Sequence, residues 1–189
     1  MKRRGFVLLA LALGACASVP PRLHSLAPSL APVAPPSGLR VGLEPVDVAA
    51  ILSRRELVLR PTPTGVTLAR NDLWAEPLDV MLQRVLAEDL AAALGAVQVT
   101  RLPTRLPPDV DRLVEVSVLD LDGRDQATAR LTATWRIHQD RPRRVVREGR
   151  SDIVEPFAPP GDVEALVLAM NRAVAQLAQD IANALRATA

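Results

Sequence analysis

Cys16 is the only cysteine in the chain, and it closes the run Leu13-Gly14-Ala15-Cys16 behind an apolar stretch that follows Lys2-Arg3-Arg4. That order of parts is a secretory signal ending in a lipobox: a basic start, apolar residues from Phe6 to Leu13, and small residues before the cut. The chemistry it implies is acylation of a thiol. A diacylglycerol is placed on Cys16, the peptide bond before it is cleaved, and lipidated Cys16 becomes the new first residue. The apolar stretch is too short to span a bilayer, which takes roughly 20 residues. Each buried methylene contributes about 0.8 kcal/mol, so two or three acyl chains on one residue form an effectively permanent anchor. Ala17 and Ser18 follow where an aspartate would favour inner-membrane retention, so the expected address is the outer membrane, facing the periplasm.

Other residues capable of chemistry do not assemble into a site. His24 lies in a proline-rich segment, while His138 ends a strand on its polar face and reads as a solvated structural histidine. The seven serines are scattered and none sits in a Gly-x-Ser-x-Gly elbow. The glycines are dispersed, so no phosphate loop is expected. Asp120, Asp122 and Asp125 have the spacing that begins a calcium loop, but the later ligand positions are missing, which leaves a hydrated acidic turn. Arg141, Arg143, Arg144, Arg147 and Arg150 fit a protein or headgroup contact and fit equally a charged sheet edge that resists aggregation. No catalytic residue, metal site or cofactor is expected.

Composition agrees with one modest domain behind an anchor. The chain of 189 residues is long enough, without its signal, to bury a core of its own. Its formal charge of +2 is misleading, because Lys2, Arg3 and Arg4 leave with the signal and twenty basic residues then face twenty-one acidic ones. A nearly neutral, aromatic-poor protein offers neither the basic field nor the stacking surfaces that nucleic acid requires. With Cys16 lipidated, no thiol remains for a disulfide.

The expected organisation is a signal over residues 1–15, a lipidated proline-rich tether over 16–38 and a single α+β domain over 39–189. Pro20, Pro21, Pro28, Pro32, Pro35 and Pro36 punctuate the tether, which if fully extended would reach roughly 50 to 70 Å. Leu23, Leu26 and Leu30 leave open that part of it lies on the domain.

Strands are expected over Leu39 to Pro45, Glu56 to Arg60 and Val66 to Ala69, with Pro61 to Gly65 forming a turn. Leu78, Met81, Leu82, Val85, Leu86, Leu90 and Leu94 then recur at helical spacing, with Pro77 suited to the first turn and Gly95 to the stop. A short strand around Val97 to Thr100 precedes a loop containing Pro103, Pro107 and Pro108. Leu113 to Asp122, an Asp122-Gly123 turn, Ala127 to His138 and Val145 to Val154 read as a meander. Ala129, Leu131, Ala133, Trp135 and Ile137 take the dry face, and Thr128 through His138 at alternate positions the wet one. Asp162 caps a last helix whose stripe is Val163, Leu166, Val167, Met170, Val174, Leu177, Ile181 and Leu185. The economical assembly is a largely antiparallel sheet with two amphipathic helices on one face.

The segment Trp74-Ala75-Glu76-Pro77-Leu78 is more specific than its composition. Glu76 can approach the positive helix N-terminus, Pro77 can set the first turn and Trp74 can pack as a staple before it, a structural role that stands beside a partner-binding one. Leu23 to Pro28, Arg55 to Arg60, Arg84 to Leu90 and Leu177 to Ala182 accompany it. Together these segments resemble the PqiC/YmbA family, the ABC-type transport auxiliary lipoproteins of MCE-domain lipid transport systems.

The resemblance implies docking between the outer membrane and an MCE-domain protein served by an inner-membrane permease system that carries phospholipid across the periplasm. The ring symmetry of MCE assemblies suggests a homo-oligomer around a tube. The alternative is a carrier holding an acyl chain between its own helices and sheet, although alanine-rich helices do not obviously create the enlarged cavity this needs. A hydrolase has the weakest support, because no nucleophile and base can be paired.

Overall fold

Long alternating segments with one apolar face need a partner on each edge, and Arg112–Arg124 obtains one on both. A computed structural model describes residues 20–32, 38–95, 99–105 and 109–188. Among these residues the strands are β1 (Arg22–His24), β2 (Val41–Leu43), β3 (Asp47–Val48), β4 (Glu56–Arg60), β5 (Thr67–Trp74), β6 (Val99–Arg101), β7 (Arg112–Arg124), β8 (Thr128–Gln139) and β9 (Arg144–Pro156). The helices are α1 (Leu78–Leu94) and α2 (Val163–Arg186). Val97, Pro107 and Pro108 lie outside the described residues.

One edge of β7 pairs antiparallel with β8 along its length, and β8 continues into antiparallel β9. The other edge is shared in succession by β2, β3 and β4, all parallel to it, at Val41↔Arg112, Asp47↔Ser117 and Leu59↔Gly123. β5 pairs antiparallel with β4, and β6 pairs parallel with β2. The fold is therefore α+β. Its long strands are antiparallel as expected, but the short strands β2, β3 and β4 run parallel beside β7 and make the sheet mixed.

Both helices carry the expected stripes inward: Met81, Leu82, Val85, Leu86 and Leu90 of α1, and Leu166, Met170, Val174, Leu177 and Ile181 of α2, are buried in one core. Asp162 caps α2 by accepting from the Ala165 backbone N–H at 3.0 Å. Gly95 ends α1 in the left-handed region at φ 62°, where a side chain would be strained. Pro77 is the N-cap of α1, one position earlier than the first turn.

Two expectations for β7 change. Asp122-Gly123 is not a turn: β7 runs on to Arg124, and the hairpin turns at Asp125 and Gln126, with φ of 49° and 55°. A Cβ at Gly123 would stand 2.8 Å from Leu166 Cδ2, so this glycine serves close helix–sheet approach rather than a turn. A register shift between Val118 and Asp120 moves the buried set from Val114, Val116 and Val118 to Leu121 and Gly123. Asp122 is accordingly no hydrated acid. It is buried and held by Arg60 Nε at 2.7 Å and Arg124 Nε at 2.8 Å.

β8 keeps the expected dry face, yet Thr132 and His138 on the other face are also buried. Trp135 lies opposite Gly149 of β9, where a Cβ would come within 2.2 Å of the indole. The ring thus covers bare backbone, and its Nε1 donates to Ser151 Oγ at 3.3 Å, which in turn donates to Asp180 of α2 at 2.7 Å. Gly149→Val should displace the indole and break this chain at a cost of about 1–3 kcal/mol. A lowered urea midpoint with a red-shifted tryptophan emission is the expected result. An unchanged midpoint would mean that the ring is not seated on this glycine.

Candidate functional site

Residues 22–30, within the expected tether, pack on the domain, as Leu23, Leu26 and Leu30 left open. β1 pairs parallel with β5 at Arg22↔Asp72, Leu23↔Leu73 and His24↔Trp74, and Leu26 is only 1% exposed. A proline-rich segment has no internal hydrogen bonds, so its N–H groups need outside acceptors when it packs. Both helices provide them. Asn171 Oδ1 of α2 accepts from Ala27 N at 3.1 Å, and Asp89 Oδ1 of α1 accepts from Ser29 N at 2.8 Å and Leu30 N at 2.9 Å.

The tryptophan motif holds the same segment. Trp74 is buried and its N–H donates to Arg55 O at 2.6 Å, while Ala75 N–H donates to His24 O at 2.8 Å. Glu76 makes no cap hydrogen bond to α1, contrary to the capping role read from its position. Its exposed carboxylate instead stands 3.7 Å from Arg84 Nη2, which donates to Leu26 O at 3.3 Å. Trp74 and Glu76 thus lie beside residues 22–26, while Pro77 starts α1. Cys16 lies outside the described residues.

Asp72 receives both Arg22 Nε at 2.7 Å and His24 Nε2 at 2.8 Å. Burial pushes its carboxyl up, but the hydrogen bonds to Arg22 and His24 outweigh this and hold it below the usual carboxylate range. Asp89 and Asn171 could have been found in the sequence, since each interrupts an apolar helix stripe.

The remaining candidates resolve singly. His138 is 8% exposed rather than solvated, with Nε2 3.1 Å from Glu115 Oε2 but outside hydrogen-bond geometry. Glu115 is pushed up by burial and more strongly held down by His138 and Arg143 together. Arg143 bridges Glu115 and Glu44 and so ties the end of the β8–β9 hairpin to the segment after β2. Arg144, Arg147 and Arg150 stand exposed on β9, which pairs only with β8 and is a sheet edge, the setting in which charge blocks edge pairing. Among the described residues, no three His, Cys, Asp or Glu side chains gather as a metal site, and no helix is long and apolar enough to cross a membrane. An apolar cavity of about 330 Å³ opens beside the start of α2, lined by Leu59, Phe157, Val163 and Leu166.

Asp89 generates a prediction. Burial, opposed by the Leu30 and Ser29 N–H bonds, raises its pKa. The folded state therefore binds its proton more tightly than the unfolded chain does, and the group's contribution to stability falls as pH rises from the ordinary carboxylate range through the raised value. Asp89→Asn keeps one oxygen acceptor and should flatten this slope in thermal melts between about pH 4 and about pH 8. Asp89→Ala orphans two N–H groups and should lose about 1–3 kcal/mol. Equal melting of both variants at every pH would remove Asp89 from this role.

Comparison with known proteins agrees with the architecture. A crystal structure of an uncharacterized protein superposes with a TM-score of 0.73 at 18% identity, covering 88% of this chain and 99% of the other. Protein XCC0632 from Xanthomonas campestris gives a TM-score of 0.71 at 17% identity, covering 85% and 92%. At these identities the likeness is one of fold. No curated protein matches the chain. Residues 23–182 match the family described as ABC-type transport auxiliary lipoprotein component, a span that runs from β1 into the last turns of α2. The chain belongs to this family of ABC-type transport auxiliary lipoprotein components.

Proposed function

We propose that this chain is a lipid-anchored periplasmic protein of the outer membrane that docks an MCE-domain protein and its inner-membrane permease system, which move phospholipid between the membranes. The observation that carries the reading is the family match over residues 23–182 lying directly behind the Leu13-Gly14-Ala15-Cys16 lipobox. Its work is docking and orientation, with no bond made or broken. Trp74-Ala75 and Glu76, the latter through Arg84, serve the structure by holding residues 22–26, while the exposed Glu76 carboxylate stays open to a partner.

Packing of residues 22–30 changes the mechanics of the anchor. Five residues separate Cys16 from Arg22, so the six steps between them reach at most about 20 Å. The domain is therefore held near the bilayer on a short leash, which raises its effective concentration toward membrane-bound partners and restricts its orientation. Several copies arranged around a tube would present one face repeatedly to a ring-shaped partner.

Cys16→Ala tests the anchor. The variant should melt like the native domain yet leave the outer-membrane fraction, and lipid transport should fail at native expression. Normal transport by an unanchored chain would overturn the reading. Native mass measurement of the lipidated protein should show an oligomer, and a clean monomer would remove the ring.

A further inference from the structure

We propose that the apolar cavity beside the start of α2 seats one acyl chain of a membrane phospholipid. Its buried end is formed by Leu166, Phe157 and the bare backbone of Gly123, while Thr67, Gln126 and Asp162 stand at the solvent end. Waters need several polar partners each, and no polar side chain lines the buried end, where the Gly123 backbone is already paired within the sheet, so the cavity suits hydrocarbon. About 330 Å³ lies near the lower limit of ligand sites, enough for part of one chain and too little for a whole diacyl lipid.

The anchor argues that the occupant comes from the bilayer. β1 runs parallel to β5, so tracing the chain backward from Arg22 leads from Asp72 toward Thr67, which lines the cavity. Thr67 is five residues from Asp72 along β5, about 17 Å, and Cys16 is six residues before Arg22, a reach of about 20 Å. The stretch from Arg22 back to Cys16 is thus long enough to span the distance to the cavity mouth. The Arg22 guanidinium is held above its usual pKa first by its bond to Asp72 at 2.7 Å, with the Asp162 and Glu164 charges adding less. Leu23 and Val66, 61% and 44% exposed, add apolar surface on this edge. The membrane is the nearest store of hydrocarbon to this opening. This inference rests on lipidation of Cys16 and names a ligand that the docking role does not require.

The test uses the lipidated full chain in vesicles of phosphatidylethanolamine and phosphatidylglycerol, with a trace of phospholipid bearing a diazirine at one acyl terminus. After irradiation, the label should map to Phe157, Val163 or Leu166. Thr67→Trp, a bulky residue at an exposed strand position of the mouth, should abolish that labelling, whereas Val145→Trp, exposed at the opposite end of β9, should leave it intact. Label that is absent from these residues, or that persists in Thr67→Trp, would overturn the proposal. Label that appears only in the Cys16→Ala chain would mean that the anchor's own acyl chains fill the cavity, which also overturns it. Vesicle flotation of the same samples reads anchoring separately, so unlabelled protein that still floats would remove the acyl-chain seat and leave the docking role standing.

Discussion

Backbone N–H groups of a proline-rich segment must find acceptors before the segment can be buried, and here Asp89 and Asn171 provide them. Each is a polar group on a helix stripe that otherwise belongs to the core, and each would be costly to bury without a partner. Their bonds to Ala27, Ser29 and Leu30 seat Leu26 in the core and hold β1 against β5. They also connect the start of the chain to both helices at once. Residues 22–30 are consequently part of the folded domain.

The sheet imposes the second constraint. β7 has partners along both edges, so the segments before it are lined up beside it in parallel, and the hairpins after it carry the antiparallel half. The shift at Leu119 turns Gly123 toward α2, where the missing side chain lets Leu166 come close. The apolar cavity forms where that close approach ends, between the start of α2, Phe157 and the β4–β5 connection. β1 runs parallel to β5 along this edge, and β5 begins at Thr67 on the cavity lining.

The helices and the β8 face were legible in the sequence because many residues share one period: the stripes from Leu78 to Leu94 and Val163 to Leu185, and Ala129 to Ile137. Misreadings arose where a single residue answered to tertiary contact. Asp122-Gly123 carries strong turn chemistry, yet Leu166 and Arg60 decide its conformation from positions distant in the chain. His138 reads as wet by alternation, but the Ile137/His138 register shift and the Glu115–Arg143 cluster bury it. Arg22 to His24 read as linker because prolines surround it, and only β5 makes it a strand. Local periodic signals were thus the legible ones. The residues that hold the anchor segment were less so, because Asp89 looks like an isolated polar interruption until Ser29 and Leu30 are beside it.

The central claim is that a short anchor holds an oriented domain against the bilayer. Neutron reflectometry of the lipidated protein on a supported bilayer measures this directly, as the separation between headgroups and protein density. The account predicts density that begins within about 20 Å of the headgroups. A hydrated gap of roughly 50 Å, the span of an extended tether through residue 38, would contradict it.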